Sequence, residues 1–247
     1  MSISQNKKYN ISVSLIMPAH NAEKIIEKSI SEYLKFLSKY KKYELIIACN
    51  GCTDSTVEVA SKIARRNKNI RILDIDERGK GFAILTGFRW AQNDIIGFMD
   101  ADNVFKLDSV AGMISHLNKY DCVIASKWLG RNIFEITEPF TRKALAVGWK
   151  ALTLGLFFMR FHDTQAGCKF LRKSSFKKID HQFICTGFDF DVELLYSLKR
   201  TGFKIKEFNI PVLKSFKFST FRLKFVPLMF WRLFRMRFSN IKAIKKE

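Results

Sequence analysis

Asp100 and Asp102, with Ala101 between them, follow directly on the apolar run Ile95-Ile-Gly-Phe-Met99. Such a run reads as a strand buried on both faces, and charge stands where it stops. Period-two alternation along a strand would bring both carboxylates to one side, with small Ala101 leaving room for close approach. Two converging oxygen ligands suit a hard divalent cation, Mg2+ or Mn2+, which completes its shell with water and substrate phosphates. From these residues alone a solvated turn with an Asx cap is an equal reading, so the surrounding elements must decide.

Those elements alternate. Ile11–Met17 reads as a strand ending at Pro18, Glu23–Leu37 has helical apolar spacing, and Tyr43–Ala48 is a second buried strand. Ser55–Arg65 is a helix capped by Thr53 or Asp54, Ile70–Ile75 a third strand, and Phe82–Ala91 a helix leading into the Asp-x-Asp strand. Units of this kind imply an α/β fold, a mostly parallel central sheet with helices on both faces. Ligands of such sheets sit outside the carboxyl ends of the strands. Pro18, His20 and Asn21, then Asn50 and Asp54, then Arg78-Gly-Lys-Gly81 with Lys80, are thereby expected around the same crevice as Asp100 and Asp102. Gly79 and Gly81 would let backbone approach a ligand, and Lys80 would meet a phosphate.

Downstream, Cys122–Ser126 is a strand ending at Lys127, and another strand lies near Lys204–Val212. Ala144–Phe161 is mostly apolar but interrupted by Lys150 and Arg160, and reads either as a core helix or as one lying against lipid head groups. From Phe218 to Phe238 aromatic residues mix with arginines without separating into faces, and Pro227 is expected to interrupt any helix there.

The 247 residues carry a formal charge of +20, and from Lys199 to Glu247 there are 14 Lys/Arg against the two acids Glu207 and Glu247. That field draws nucleic acid, anionic lipid or phosphorylated substrates. Five scattered cysteines in apolar or loop settings point to reduced thiols and a cytosolic compartment, and Cys49-x-x-Cys52 has no second pair at zinc spacing. No signal peptide and no run long enough to span a bilayer is evident. The expected organisation is a catalytic domain over 1–215 and a basic, aromatic, amphipathic membrane-associating region over 216–247.

Several ordered segments resemble the family 2 glycosyltransferases of GT-A (Rossmann-like) fold, in particular the polyprenyl-phosphate (dolichyl-phosphate) glucosyl- and mannosyltransferases. Ser14-Leu-Ile-Met-Pro-Ala-His-Asn21 looks like the family's opening strand and nucleotide loop, Arg78-Gly-Lys-Gly81 like its glycine turn, and Asp100-Ala-Asp102 like its metal motif. Asp163-Thr-Gln-Ala-Gly-Cys-Lys169 and Phe190-Asp-Val-Glu-Leu-Leu195 are similar to segments of the dolichyl-phosphate glucosyltransferase branch. The chain departs from the pattern at Cys49 and Asn50, where relatives have two aspartates, at Ala22 for a common Glu, and at Lys127 for a usual Arg. Lys127 would hold a phosphate as a point charge without the bidentate fork.

The resemblance implies inverting transfer of a hexose from a nucleotide sugar, UDP-glucose or GDP-mannose, to a polyprenyl phosphate at the cytoplasmic face of a membrane. It makes Asp100 and Asp102 metal ligands and places Gln165 in the binding segment. Lys127, Arg142 and Lys169 become candidates for the acceptor phosphate. Asp191 takes the position of the general base used by relatives that act on sugar hydroxyls. A phosphate acceptor is already anionic at neutral pH and needs positioning rather than deprotonation, so the role of Asp191 depends on the acceptor. A hydroxyl acceptor on a lipid-linked or polysaccharide chain is the alternative. A pyrophosphorylase would want a glycine-rich loop where Pro18-Ala-His-Asn stands. A nucleic-acid-binding module would explain the charge but not the buried strand ending in Asp-x-Asp, so nucleic acid is not expected as a partner.

Overall fold

The computed structural model describes residues 9–130, 140–180, 183–213 and 226–238. The chain divides into two compact units, Met1–Asn103 and Val104–Glu247.

The first unit alternates β1 (Tyr9–Ala19), α1 (Ile26–Leu37), β2 (Tyr40–Asn50), α2 (Thr56–Ala64), β3 (Ile70–Ile75), α3 (Lys80–Trp90) and β4 (Ile95–Met99). Its strands lie in the order β3-β2-β1-β4, all parallel, with Leu15 opposite Leu45 on one side and Gly97 on the other. Every residue of β1 from Val13 to Ala19 is buried, as is all of β4, so both faces must be covered. The chain steps outward from β1 to β3 and then returns through α3 to set β4 on the other side of β1. Right-handed crossovers therefore place α1 and α2 on one face and α3 on the other. α3 packs against β1, β2 and β4, closely enough at Gly87 that an added Cβ would stand 2.6 Å from Ile16 Cγ1. The reversal of direction between β1 and β4 is where a crevice opens at the carboxyl ends of a parallel sheet.

β2 begins earlier than the apolar run suggests, because Tyr40 pairs with Tyr9 while the intervening Lys41 and Lys42 are exposed and hide the strand from periodicity. α1 begins later than expected, at Ile26, after a turn in which the Ala22 carbonyl accepts the N–H of both Ile25 and Ile26.

The second unit holds α4 (Leu107–Ser115), β5 (Cys122–Ser126), α5 (Phe140–Phe157), β6 (Cys168–Arg172), α6 (Lys173–Lys177), α7 (Phe190–Arg200), β7 (Ile205–Asn209) and α8 (Val226–Phe238). β5 pairs antiparallel with β6 and parallel with β7. α5 contacts α8, and its Phe157 ring packs on Tyr196 of α7; Thr153 and Phe157 are buried while Leu145, Val147 and Leu154 stay exposed. The tail corrects the expectation for Pro227, which sits in the first turn of α8, where a missing N–H breaks no intrahelical bond. A buried stripe of Met229, Leu233 and Met236 stands apart, but on the exposed side Leu228, Phe230, Trp231, Phe234 and Phe238 mix with Arg235 and Arg237, as the sequence suggested. Apolar residues occupy both sides of the helix and arginines share the exposed one, which is why the sequence pattern is mixed. Residues 216–225 and 239–247 of the expected tail region lie outside the described residues. Among the described residues, no helix is long and apolar enough to cross a membrane.

Candidate active site

In the first unit the predicted loops meet at the carboxyl ends of β1, β2 and β4. β4 stops at Met99, and residues 100–103 form a turn closed by the Asn103 N–H on the Asp100 carbonyl at 3.2 Å. The turn, not strand alternation, thus places Asp100 and Asp102, a correction to the period-two argument. α1 holds that turn from beneath: Ser29 Oγ donates to the Ala101 carbonyl, Tyr33 to the Asp100 carbonyl, and Asn103 to Glu32. These α1 residues escaped sequence reasoning, although a buried serine on the apolar face of a helix was a readable signal.

Lys80, the first residue of α3, reaches the same turn, with Nζ 2.6 Å from Asp100 Oδ1. Asn50 is 4% exposed and ties three loops together. Its Nδ2 donates to the Ala19 carbonyl at 2.9 Å, its Oδ1 accepts the Gly79 N–H at 3.3 Å, and its own carbonyl bonds His20 Nδ1 at 2.8 Å. Asn21 pairs with Thr53, both through the Thr53 N–H at 2.8 Å and through its hydroxyl. The N-cap of α2 is Ser55 and not the expected Thr53 or Asp54; Asp54 instead closes a turn just before it, its Oδ1 accepting the Thr56 N–H at 3.0 Å, and its Oδ2 accepts the Glu23 N–H. Its burial is slight and pushes upward, but these donors together hold the carboxyl below its ordinary value. Pro18 lies within β1, paired with Ala48. Cys49 is buried, which with neighbouring Cys52 pushes its thiol up to about 12, and all five cysteines are free. Such a thiol is inert at neutral pH. A separate cavity of about 320 Å³ lies at the opposite, amino-terminal ends of the strands, between Lys41–Glu44, Lys68–Arg71 and Gln92–Asn93.

In the second unit, β5 delivers Lys127, whose N–H donates to Asp163 Oδ2 at 3.4 Å. Asp163 is buried, and burial pushes its carboxyl up despite the opposing charges of Lys127 and Lys169. Glu207 of β7 anchors the segment by accepting the N–H groups of His162 at 2.9 Å and Asp163 at 2.7 Å. Gln165 donates its N–H to Asp163 Oδ1, and its side-chain nitrogen is buried with no hydrogen-bond partner among the described residues. Lys169 is fully buried, donating to Asp191 Oδ1 at 2.5 Å and to the Ala166 carbonyl at 2.7 Å. Asp191 stands in the first turn of α7 with Glu193, whose buried carboxylate accepts the N–H groups of Ile184 and Cys185. Both acids favour that helix end, where backbone N–H groups point outward. Arg142 belongs to α5, and its side chain lies outside the described residues.

Comparisons with known proteins agree with this architecture. Over 206 residues the chain is 24% identical to glycosyltransferase AglD of Haloferax volcanii, covering 81% of the chain but 33% of that protein. It is 28% identical to a dolichyl-phosphate beta-glucosyltransferase of Trichomonas vaginalis, covering 82% of the chain and 66% of that protein. The chain thus spans from a third to about two thirds of the length of these relatives. Among solved structures, glucosyl-3-phosphoglycerate synthase from Mycobacterium tuberculosis, in complex with Mn2+, UDP and glucosyl-3-phosphoglycerate, superposes with a TM-score of 0.63 at 19% identity, covering 96% of this chain and 84% of that one. The fold is therefore the α/β GT-A type expected from the motifs. The model of glycosyl transferase family 2 matches residues 14–180, a span that takes in the strand-end loops and the 163–169 segment alike. The chain belongs to glycosyl transferase family 2.

Proposed function

We propose that this glycosyltransferase moves a hexose from a nucleotide sugar to the phosphate of a polyprenyl lipid of dolichyl type, with inversion. The relatives' names favour glucose over mannose and hence UDP-glucose over GDP-mannose. The observation that carries a phosphate acceptor is the buried Lys169–Asp191 pair at 2.5 Å. A general base must offer a free oxygen to the attacking hydroxyl. The Oδ1 of Asp191 is committed to an ammonium group, and a proton taken on either oxygen would neutralise the carboxylate and weaken a buried ion pair. A phosphate monoester needs no such base. Lys169, buried beneath Asp191, is assigned to holding that carboxylate, which leaves Lys127 and Arg142 as the cations for the acceptor.

Asp100 and Asp102 are hard oxygen donors on a turn fastened by α1, a set that fits Mg2+ or Mn2+. An ion bound there would stabilise charge developing on the departing diphosphate. Lys80 adds a cation beside the same carboxylate and serves the same charge. Asn50, by joining the β1, β2 and α3 loops, keeps His20 and Asn21 in place for the nucleotide, while the Gln165 nitrogen, with no partner among the described residues, is a donor for a ligand oxygen. The exposed aromatic face of α8, with Arg235 and Arg237, suits the anionic surface of the membrane that holds the lipid, at its cytoplasmic, donor-supplying side.

The direct test incubates the protein with vesicles containing polyprenyl phosphate and a panel of labelled nucleotide sugars, followed by organic extraction. Label from one donor should enter the lipid phase in an alkali-stable, mild-acid-labile form. Label appearing only on a sugar hydroxyl acceptor would overturn the phosphate reading.

A further inference from the structure

Asp189 is completely buried at the start of α7, and burial pushes its carboxyl above the ordinary value. Its Oδ1 accepts the Gly187 N–H at 3.1 Å and lies 3.6 Å from an Arg232 guanidinium nitrogen, while Oδ2 has no hydrogen-bond partner among the described residues. Arg232 comes from α8, on the flank between its buried Met229-Leu233-Met236 stripe and its exposed aromatics, and is itself three-quarters covered. Gly187 makes the approach possible. A Cβ there would stand 3.0 Å from Asp189 Oδ1 and 3.2 Å from the Arg232 nitrogen, between the two charges. Two residues beyond Asp189, Asp191 meets Lys169.

A buried carboxylate without a compensating cation is strongly unfavourable. The other groups facing Asp189 supply none: Cys185 and Glu193 are a neutral thiol and a second acid. We propose that Arg232 is a positioning residue, which enters over Gly187 to compensate Asp189 and thereby fastens α8 to the loop and helix that carry Asp191. Resting on the lipid-phosphate reading for its functional consequence, this makes the membrane-facing helix and the Asp191–Lys169 pair one mechanical unit, so that lipid seated against α8 meets a correctly set α7 terminus.

The test uses the full chain with Arg232→Met, Asp189→Asn and the double variant. Loss of the cation should speed hydrogen exchange in residues 183–189 and in α8 by about tenfold or more, a local opening and not global unfolding. The change in R232M should grow as pH rises from the ordinary carboxyl range toward neutrality, because a carboxyl raised by burial is tolerated while protonated and unfavourable once ionised. Removing both charges removes the conflict, so the double variant should return to within about threefold of wild type and lose that pH dependence. With polyprenyl phosphate in phosphatidylcholine vesicles, R232M should raise KM for the lipid and leave KM for the nucleotide sugar unchanged. Unchanged exchange in R232M, or a double variant that exchanges as fast as R232M or fails to fold, overturns the lock. If wild type transfers nothing to polyprenyl phosphate, the functional reading fails while exchange still decides the lock.

Discussion

The residues of the candidate site are mostly paired with one another, and the pairs determine what each substitution should do. Lys80 and Asp100 form a partly exposed pair at 2.6 Å, so their mutual attraction contributes little to stability. Replacing Asp100 or Asp102 with Asn should therefore leave thermal unfolding near that of wild type while lowering transfer by about 10²-fold or more, in the range of lost electrostatic stabilisation of a leaving group. Chelator should reproduce that loss, and full activity in EDTA would remove the metal from the proposal. Lys169 and Asp191 behave differently because both are buried. Lys169→Met should destabilise the protein by about 3–5 kcal/mol in urea unfolding, and adding Asp191→Asn should recover part of it. Asp163 supplies a pH signature. Its carboxyl is raised by burial, so its contribution is most favourable below the ordinary carboxyl value and is lost as pH rises through the raised one. Asp163→Asn, which keeps an acceptor oxygen for Gln165 or Lys127, should gain stability relative to wild type as pH rises over that window.

Elements set which of these groups can meet. α1 is an ordinary amphipathic helix whose Ser29, Glu32 and Tyr33 bind the Asp100–Asn103 turn, so it is a platform for the carboxylates as well as a cover for the sheet. α3 lies so close to β1 that Gly87 has no room for a methyl group against fully buried Ile16. Alanine would add about 1 kcal/mol of helix propensity, but forcing a carbon into a packed core typically costs about 1–3 kcal/mol. Gly87→Ala should accordingly lower the urea midpoint, and since α3 begins at Lys80 it should also weaken nucleotide binding. A stabilised variant with unchanged binding would show that α3 can shift without disturbing the turn.

For the whole molecule, charge and exposed apolar surface predict where it resides. The formal charge of +20 acts over about 10 Å at 0.1 M salt and about 3 Å at 1 M. Binding to vesicles containing phosphatidylserine should fall as salt rises, leaving a remainder from apolar insertion. Trp231→Ser, Phe234→Ser and Phe238→Ser together should abolish that remainder, because all three side chains are exposed on α8 while the buried Met229, Leu233 and Met236 are untouched. Salt-insensitive binding by the triple variant would move the lipid contact elsewhere, with the exposed Leu145, Val147 and Leu154 of α5 next in line.

Local signals determined much of this protein. Uninterrupted apolar runs marked β4, β5 and the inner part of β2, because a strand covered on both faces has no polar alternation to blur it, while β1 and β3 showed as apolar residues interrupted by Ser12 and Ser14 or by Arg71 and Asp74; their order with the intervening helices implied the parallel α/β sheet. The same runs located Asp100, Asp102, His20 and Asn21 just past strand ends, and the glycines of Arg78-Gly-Lys-Gly81 marked the loop that carries Lys80. Only the tertiary structure decided what those residues touch. That Asn50 joins three loops, that Lys169 is spoken for by Asp191, and that Arg232 crosses Gly187 to reach Asp189 are contacts between segments separated by many residues, to which periodicity is blind. The tail shows the limit most directly. In sequence apolar residues lie on both sides of α8 among arginines, and which of them are buried was decided by the packing of Met229, Leu233 and Met236 within the fold.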